Sequence, residues 1–224
     1  AVGEDFGAYR PILELPGDAE ASTATRIGAL SYVSAIALVQ GDFGVSVLRT
    51  REALEMCREF GDRKGVITQL NALYAQARWR GSYLAAREWA EQTLQACGDL
   101  GDKAAIAAAL SNLADVIFLL GHHREAQARL EQASTMFAEM DDATGMAWCS
   151  NHLGDIALEL GDIAEARRLY EAGADIFRKT DNRWGLARSA CDLGHLACEE
   201  ASYDSARAFF RSALTVFREL EHKR

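Results

Sequence analysis

Residues 151–170 read NHLGDIALELGDIAEARRLY, two apolar helical patterns with a sharp break between them. The break is Gly161-Asp162, where glycine accepts the left-handed backbone that ends many helices and aspartate caps the helix that follows. On each side of it, apolar residues recur every three or four positions, which is the spacing of one helix face. The stretch therefore predicts two helices joined by a short turn.

The same break recurs at a fixed interval along the chain. Glycines lie forty residues apart at Gly41, Gly81, Gly121 and Gly161, with Ala201 in the fifth place. Further turn residues lie midway between them, at 61–62, 101–102, 141–142, 181–182 and 221–222. A period of this length is typical of solenoid repeats. We predict helix pairs near 24–63, 64–103, 104–143, 144–183 and 184–224, and a helical remnant of a preceding repeat in residues 1–20.

Within each pair the apolar residues mark a buried side. In the first helices they follow the spacing i, i+3 and i+7, as in Leu110, Leu113 and Ile117, and this spacing lies on one face of a helix. Leu153 and Leu193 hold the central position in later repeats, and a small residue follows each of them. In the second helices alanine recurs at one position, namely Ala86, Ala126, Ala166 and Ala206. We expect all of these positions to be buried.

The pattern resembles the tetratricopeptide repeat. Leu153-Gly154, the segment 161–166 and Tyr170 match the Leu-Gly, alanine and aromatic positions of that family, whereas Tyr74 stands where glycine is usual. The repeat of forty residues is longer than the usual ~34 and resembles the arrays of bacterial STAND and MalT-like regulators and of spindle-orientation adaptors. The resemblance implies an all-α fold, a right-handed superhelix (α-solenoid) over residues 21–224, and a role in binding partners rather than in catalysis.

Stacked helix pairs form a superhelix whose concave wall is lined by the first helices, so the face of these helices that is not core is the candidate site. The residues at these positions include asparagine amides that suit a peptide main chain, arginines that pair with carboxylates, and tryptophan, a frequent binding hot spot. We predict a protein or peptide ligand at Asn71, Arg78, Asn112, Asp115, Phe118, Trp148, Asn151, His152, Asp155, Arg188, Asp192 and His195. Changing Asn151 and Arg188 to alanine together is expected to weaken binding and to spare thermal stability.

Composition excludes several other functions. The net charge is −9 and no basic stripe is present, so nucleic acid is not an expected partner. No apolar run approaches the ~20 residues of a membrane span. The five cysteines form no CxxC pair, which is typical of reduced thiols in a cytoplasmic protein. Cys191, His195 and Cys198 share one helix face, but without tight cysteine pairs we expect no metal and no cofactor. With no catalytic motif, we expect no enzyme.

Two interpretations of the function stay open. The first is an interaction module of a larger regulatory or signalling protein, and the second is a small-molecule inducer sensor of a transcription regulator. The aromatic residues Trp79, Phe118 and Trp148 are scattered rather than convergent, which favours a long groove. The last helix is also more apolar than one neighbour can cover, since Phe209 and Phe210 differ by about 100° around its axis. We therefore expect self-association through this helix, or a further helix covering it.

Overall fold

The computed structural model describes the backbone of residues 19–221 and the side chains of residues 23–219. Within that range it contains ten α-helices and no strand. The first described helix begins at residue 19, five residues before the predicted start of the first pair. The helical remnant predicted in residues 1–20 lies outside the described residues, except for residues 19 and 20, which belong to that helix. The helices are α1 (Ala19–Val39), α2 (Phe43–Glu59), α3 (Arg63–Trp79), α4 (Tyr83–Leu100), α5 (Lys103–Leu119), α6 (His123–Glu139), α7 (Ala143–Glu159), α8 (Ile163–Lys179), α9 (Arg183–Glu199) and α10 (Tyr203–Glu221).

The turns between helices follow the predicted punctuation. Gly161 has φ +80°, in the left-handed region that glycine adopts without a steric penalty. Asp141, Asp181 and Ala201 adopt the same conformation with φ between 51° and 56°; aspartate is among the non-glycine residues that do so most readily. The side chain of Asp162 accepts a hydrogen bond from a backbone N–H in the first turn of α8, at 3.0 Å. The repeating turn residues therefore set where each helix ends and where the next begins.

The chain divides into two compact units, and each is built from consecutive helix pairs. The first unit ends at Asp102 and contains α1 to α4, and the second begins at Lys103 and contains α5 to α10. This boundary falls between the second and third predicted repeats. A core cluster of the first unit consists of Leu54, Leu70 and Leu73. A core cluster of the second unit consists of Ala157, Ala166, Tyr170, Leu193 and Leu196.

The predicted inner positions are mostly buried, as expected. Leu110 and Leu113 are no more than 3% exposed, whereas Leu153 is only half-buried. The small residue after each central leucine has a steric reason. A Cβ added to Gly154 would lie 2.6 Å from a ring carbon of Tyr170, so glycine lets α8 approach α7 closely.

In the second unit the first helices lie side by side. The central one, α7, contacts both α5 and α9. We call the polar side of α5, α7 and α9 the first-helix wall. The second helices α6 and α8 each pack between two first helices, and so the wall carries residues from three consecutive repeats.

Candidate functional site

Two carboxylates and one guanidinium link α7 to α9 on the first-helix wall. The Nε of Arg188 donates a hydrogen bond to Oδ1 of Asp192 at 2.8 Å. Its Nη2 lies 3.4 Å from Oδ2 of Asp155 on the neighbouring first helix. The hydroxyl of Tyr170 reaches out of the core and donates to the other oxygen of Asp155 at 2.8 Å. Arg188 therefore bridges two helices, and Asp155 is fixed from both sides.

Beneath this bridge, an asparagine ties α7 to α9 inside the protein. Asn151 is only 2% exposed, and its Nδ2 donates to Oγ of Ser189 at 2.8 Å and to Oδ2 of Asp192 at 3.1 Å. Its Oδ1 is buried without a hydrogen-bond partner. A Cβ added to Gly173 on α8 would lie 2.2 Å from this oxygen. The asparagine therefore fills a space that the absence of a side chain at residue 173 leaves open.

The burial of this tie corrects part of the predicted site. Asn151 and Asp192 are 2% and 5% exposed, so their side chains hold the wall together instead of facing a ligand. For the same reason, we no longer expect that changing Asn151 and Arg188 to alanine together would leave the melting temperature nearly unchanged. The change would remove donors from Asp192 and Ser189, and buried acceptors without donors destabilise the folded state.

Burial also sets the charge state of this network. It raises the pKa of Asp192 to about 6, although the cation of Arg188 acts in the opposite direction. Burial acts to lower the pKa of Arg188, but the carboxylates of Asp192 and Asp155 outweigh it and raise that pKa. Burial and the nearby Asp155 raise the pKa of Tyr170. The tyrosine is therefore a neutral donor, the arginine a fixed cation, and Asp192 a carboxylate that is protonated in mildly acidic solution.

A histidine lies between carboxylates of two first helices. Nδ1 of His152 is 3.7 Å from Oδ2 of Asp155 and 4.0 Å from Oδ1 of Asp115, on α5. These separations are too long for good hydrogen bonds, but they are short enough for electrostatic attraction when the imidazole is protonated. The His152 side chain is 22% exposed and that of Asp115 is 9% exposed. Around Arg188, two carboxylates, those of Asp155 and Asp192, thus face one guanidinium.

The remaining predicted site residues lie around this centre or outside it. Phe118 stacks on His123 with ring centroids 5.4 Å apart, and Trp148 leans on the buried Phe177 at 4.8 Å. His195 is exposed and meets the ring of Phe210 nearly edge-on at 5.2 Å. Asn112 is half-buried on α5. Asn71 and Arg78 are half-buried on α3, in the first unit.

Sequence reasoning missed a recurring polar pair between consecutive first helices. Its members lie 38 residues apart in the chain, as in the bond from Asn151 to Ser189. In the first unit Gln69 donates to Ser31 at 3.2 Å, and in the second Ser111 bonds the thiol of Cys149. The available signal was a polar residue at every fortieth position, Ser31, Asn71, Ser111 and Asn151. Such pairs join one repeat to the next.

The five cysteines are all free thiols, and three of them are buried. Burial raises the pKa of Cys149 to about 12, so this thiol stays protonated and unreactive at neutral pH. Among the described residues, no group of three or more His, Cys, Asp or Glu side chains is arranged to hold a metal ion. Over the same residues, no helix combines the length and the hydropathy needed to cross a bilayer.

The comparisons with known proteins agree with this architecture. The family model described as tetratricopeptide repeat matches residues 67–139 and 144–219, which together are more than half of the chain. No curated protein sequence matches the chain. Among solved structures, BtubC (BKLC) from P. vanneervenii is similar, with a TM-score of 0.69 and 19% identity over 91% of this chain and 84% of that one.

Two further solved structures are similar at lower coverage of their own length. A Rap protein complexed with Competence and Sporulation Factor has a TM-score of 0.72 and 17% identity, over 92% of this chain and 57% of that one. A STAND protein with a tetratricopeptide repeat sensor from Pyrococcus horikoshii has a TM-score of 0.68 and 12% identity, over 87% of this chain and 33% of that one. At such identities the likeness concerns the fold alone. The match to the repeat model, the forty-residue helix pairs and the left-handed turns lead to one conclusion: the chain belongs to the tetratricopeptide repeat family.

Proposed function

We propose that the chain is a protein- or peptide-binding module of a larger regulatory or signalling protein, and that its ligand lies along the first-helix wall of the second unit, in the concave groove predicted from the sequence. The observation that carries the proposal is the bridge formed by Arg188. Its side chain is 38% exposed while it bonds Asp192 and approaches Asp155. The bridge and Tyr170 hold the carboxylate of Asp155, 21% exposed, in place, so little conformational entropy is lost when a ligand binds it.

The charge of the wall favours a ligand with a basic group. Around Arg188, the carboxylates of Asp155 and Asp192 share one guanidinium, so this network has an excess of one carboxylate. An incoming lysine or arginine side chain would add a cation to this excess, and complementary charges increase both the rate and the specificity of association. The half-buried Asn112 and Trp148 lie on α5 and α7 and offer, respectively, amide hydrogen bonds and apolar contact. The Rap relative, whose structure holds Competence and Sporulation Factor, lends support by analogy of fold.

The packing of the aromatic side chains favours a peptide over a small inducer. A pocket for a small molecule is usually lined by convergent apolar and aromatic groups. Here Phe118 packs on His123, and Trp148 packs on Phe177. Each of these rings thus has its own protein partner. Repeats of this family generally serve as scaffolds, which agrees with a binding role.

A test begins with selection of a peptide from a random library displayed on phage, using the full chain as bait. The selected peptide is then labelled, and its affinity is measured by fluorescence anisotropy for the wild type, for His152→Ala and for Arg168→Ala. His152 lies on the wall, whereas Arg168 is on α8 with its side chain 65% exposed and pairs with Glu165. We expect the histidine variant to weaken binding about tenfold, as truncation at a binding hot spot does, and the arginine variant to bind as the wild type does.

The ionic-strength dependence gives a second readout for the same peptide. Because the wall is acidic, the selected peptides should be enriched in lysine and arginine, and their affinity should fall as salt is added. Equal affinity of wild type and His152→Ala, together with a loss in Arg168→Ala, would move the site to the second helices and contradict the proposal.

A further inference from the structure

The two carboxylates that share the cation of Arg188 share it unequally. The Nε of Arg188 lies 2.8 Å from Oδ1 of Asp192 and 3.1 Å from its Oδ2. The Nη2 of the same guanidinium is 3.4 Å from Oδ2 of Asp155, which is longer than an ordinary hydrogen bond. The arginine is thus held mainly by the buried carboxylate, and the excess negative charge lies on Asp155, whose side chain is 21% exposed.

The buried member of the pair is the one that takes up a proton. Asp192 is 5% exposed, and both burial and a second carboxylate nearby disfavour the charged form of an acid. Burial, and after it the charge of Asp155, raise the pKa of Asp192 to about 6, although Arg188 and His152 act in the opposite direction. The proton is therefore bound inside the protein, one side chain away from the exposed carboxylate.

Protonation of Asp192 changes which carboxylate Arg188 balances. Two carboxylates and one guanidinium carry a net charge of −1, and one proton brings this charge to zero. Once Asp192 is neutral, the charge of Arg188 is matched by Asp155 alone, and the attraction between these two groups is no longer shared. The exposed carboxylate then has less charge to offer to a cation from outside.

A buried amide beside Asp192 can accommodate the proton. Nδ2 of Asn151 donates to Asp192 and to Ser189, whereas its Oδ1 is buried without a partner. A half-turn of the amide would direct this oxygen at Asp192 and at the hydroxyl of Ser189, and both can donate when Asp192 is protonated. The amide nitrogen would enter the space beside Gly173, which the carbonyl oxygen of Ala147 borders. The oxygen that lacks a donor beside the charged acid thus gains one beside the neutral acid.

The titratable and charged groups around this centre come from four helices. On α5, α7, α8 and α9 they are Asp115, His152, Asp155, Tyr170, Arg188 and Cys191. The described residues of α10, which also packs on α9, add no group that shifts the pKa of Asp192. Because imidazole side chains ordinarily change charge between pH 5 and pH 8, a test has to separate His152 from Asp192.

We propose that a proton on Asp192 lowers the affinity of the first-helix wall for basic ligands, because Arg188 then neutralises Asp155. This inference rests on the function proposed above, in which the wall binds a peptide with lysine or arginine. A ligand that favours the charged form of Asp192 must release the proton when it binds. Affinity is therefore highest above pH 6 and falls as the pH falls through about 6, where the free chain takes up the proton.

The phage-selected basic peptide is the probe, in a form that has blocked ends and no histidine. Its dissociation constant is measured by fluorescence anisotropy from pH 5 to pH 8 at constant ionic strength. For the wild type we expect binding at pH 5 to be about five- to tenfold weaker than at pH 8. Asp192→Asn, which mimics the neutral acid, should bind at every pH about as weakly as the wild type does at pH 5. His152→Gln is the control, and it should keep the wild-type ratio between the two affinities.

Two measurements on the wild type need no variant to fold. Calorimetric titrations at pH 6 in two buffers of different ionisation enthalpy count the protons released, and we expect up to about half a proton per bound peptide. In the free chain, the side-chain amide signals of Asn151 should shift between pH 5 and pH 7, as the neighbouring acid loses its proton.

The outcomes separate this inference from the function on which it rests. An affinity that stays constant from pH 5 to pH 8, while His152→Ala still weakens binding, would overturn the inference and leave the proposed function standing. A pH dependence that His152→Gln removes and Asp192→Asn retains would assign the effect to the histidine and would also overturn it. If His152→Ala binds the peptide as the wild type does, the proposed function fails and the inference fails with it.

Discussion

Consecutive first helices are tied together by buried polar side chains in both units, but the tie is neutral in the first unit and charged in the second. In the first, the hydroxyls of Ser34 and Thr50 are 2.7 Å apart, and Gln76 donates to Thr50 at 2.8 Å. These three side chains are no more than 5% exposed. In the second, Arg188 joins Asp155 and Asp192, and the arginine remains open to solvent.

The difference shows how one scaffold separates stability from recognition. The side chains of the neutral tie are buried, so a ligand cannot contact them. The charged tie also joins two first helices, but its Arg188 side chain is 38% exposed, so preorganised charge is accessible to a ligand. Both ties contain a buried amide whose oxygen has no hydrogen-bond partner, Gln76 in the first unit and Asn151 in the second. A buried oxygen without a donor costs about 1–3 kcal/mol. In each unit the favourable contribution of the amide therefore comes from its nitrogen, which donates hydrogen bonds to the neighbouring side chains.

The largest effect is expected from replacing Asn151 by leucine, and the same change at Gln76 provides the comparison. Asn151→Leu should lower the free energy of unfolding by about 3 kcal/mol, because Ser189 and the buried Asp192 lose a donor and the larger side chain meets α8 at Gly173. Gln76→Leu should cost about 1 kcal/mol, since the hydroxyls of Ser34 and Thr50 still bond each other. Urea unfolding followed by circular dichroism measures both. Equal losses would remove the distinction between the two ties.

Removing the bridging cation should have the next largest effect. Arg188→Ala leaves the carboxylates of Asp155 and Asp192 without their partner. Breaking a buried pair costs several kcal/mol, but this arginine is 38% exposed, so solvent screening reduces the expected loss to about 2 kcal/mol. Arg58→Ala in the first unit is the control. That arginine pairs with Glu55 and both side chains are exposed, and a loss below about 0.5 kcal/mol is expected there.

The dependence of stability on pH sharpens the comparison further. Burial raises the pKa of Asp192 from 3.8 to about 6 on folding, so the folded chain binds this proton more tightly than the unfolded chain does. The stability due to the proton is fully present below pH 4 and is lost as the pH rises through about 6. Asp192→Asn should remove this pH-dependent decline in the free energy of unfolding, which we expect to be on the order of 2 kcal/mol. His152 lies beside Asp155 in the same network, so His152→Ala serves as the control variant.

The opposite result would be informative. If wild-type stability rises between pH 4 and pH 7 by more than that of Asp192→Asn, the carboxylate is stabilised by Arg188 more than it is penalised by burial. The network would then be held by its ion pair, and the charged tie would be the stronger of the two.

The helices and their turns were predictable from the sequence because they depend on local rules. The forty-residue spacing of Gly161 and its equivalents fixed the ends of the helices, and apolar spacing identified core residues such as Leu110. The roles of Asn151 and Asp192 were not predictable in this way. They lie off the apolar stripe of their own helices, and the neighbouring first helix buries them. How far one repeat covers the next depends on packing between repeats, which helical periodicity does not encode.

The most direct test of the proposed recognition site is to determine by NMR which of the two ties lies closer to a bound ligand. The full chain, labelled with ¹⁵N, is titrated with the phage-selected basic peptide while amide chemical shifts are recorded. We expect the largest changes in chemical shift on α7 and α9, around His152, Asp155 and Arg188, and little change around Ser34 and Gln76. Changes centred on the neutral tie of the first unit, or on the outer face of α6 and α8, would contradict the claim that the charged tie is the recognition site.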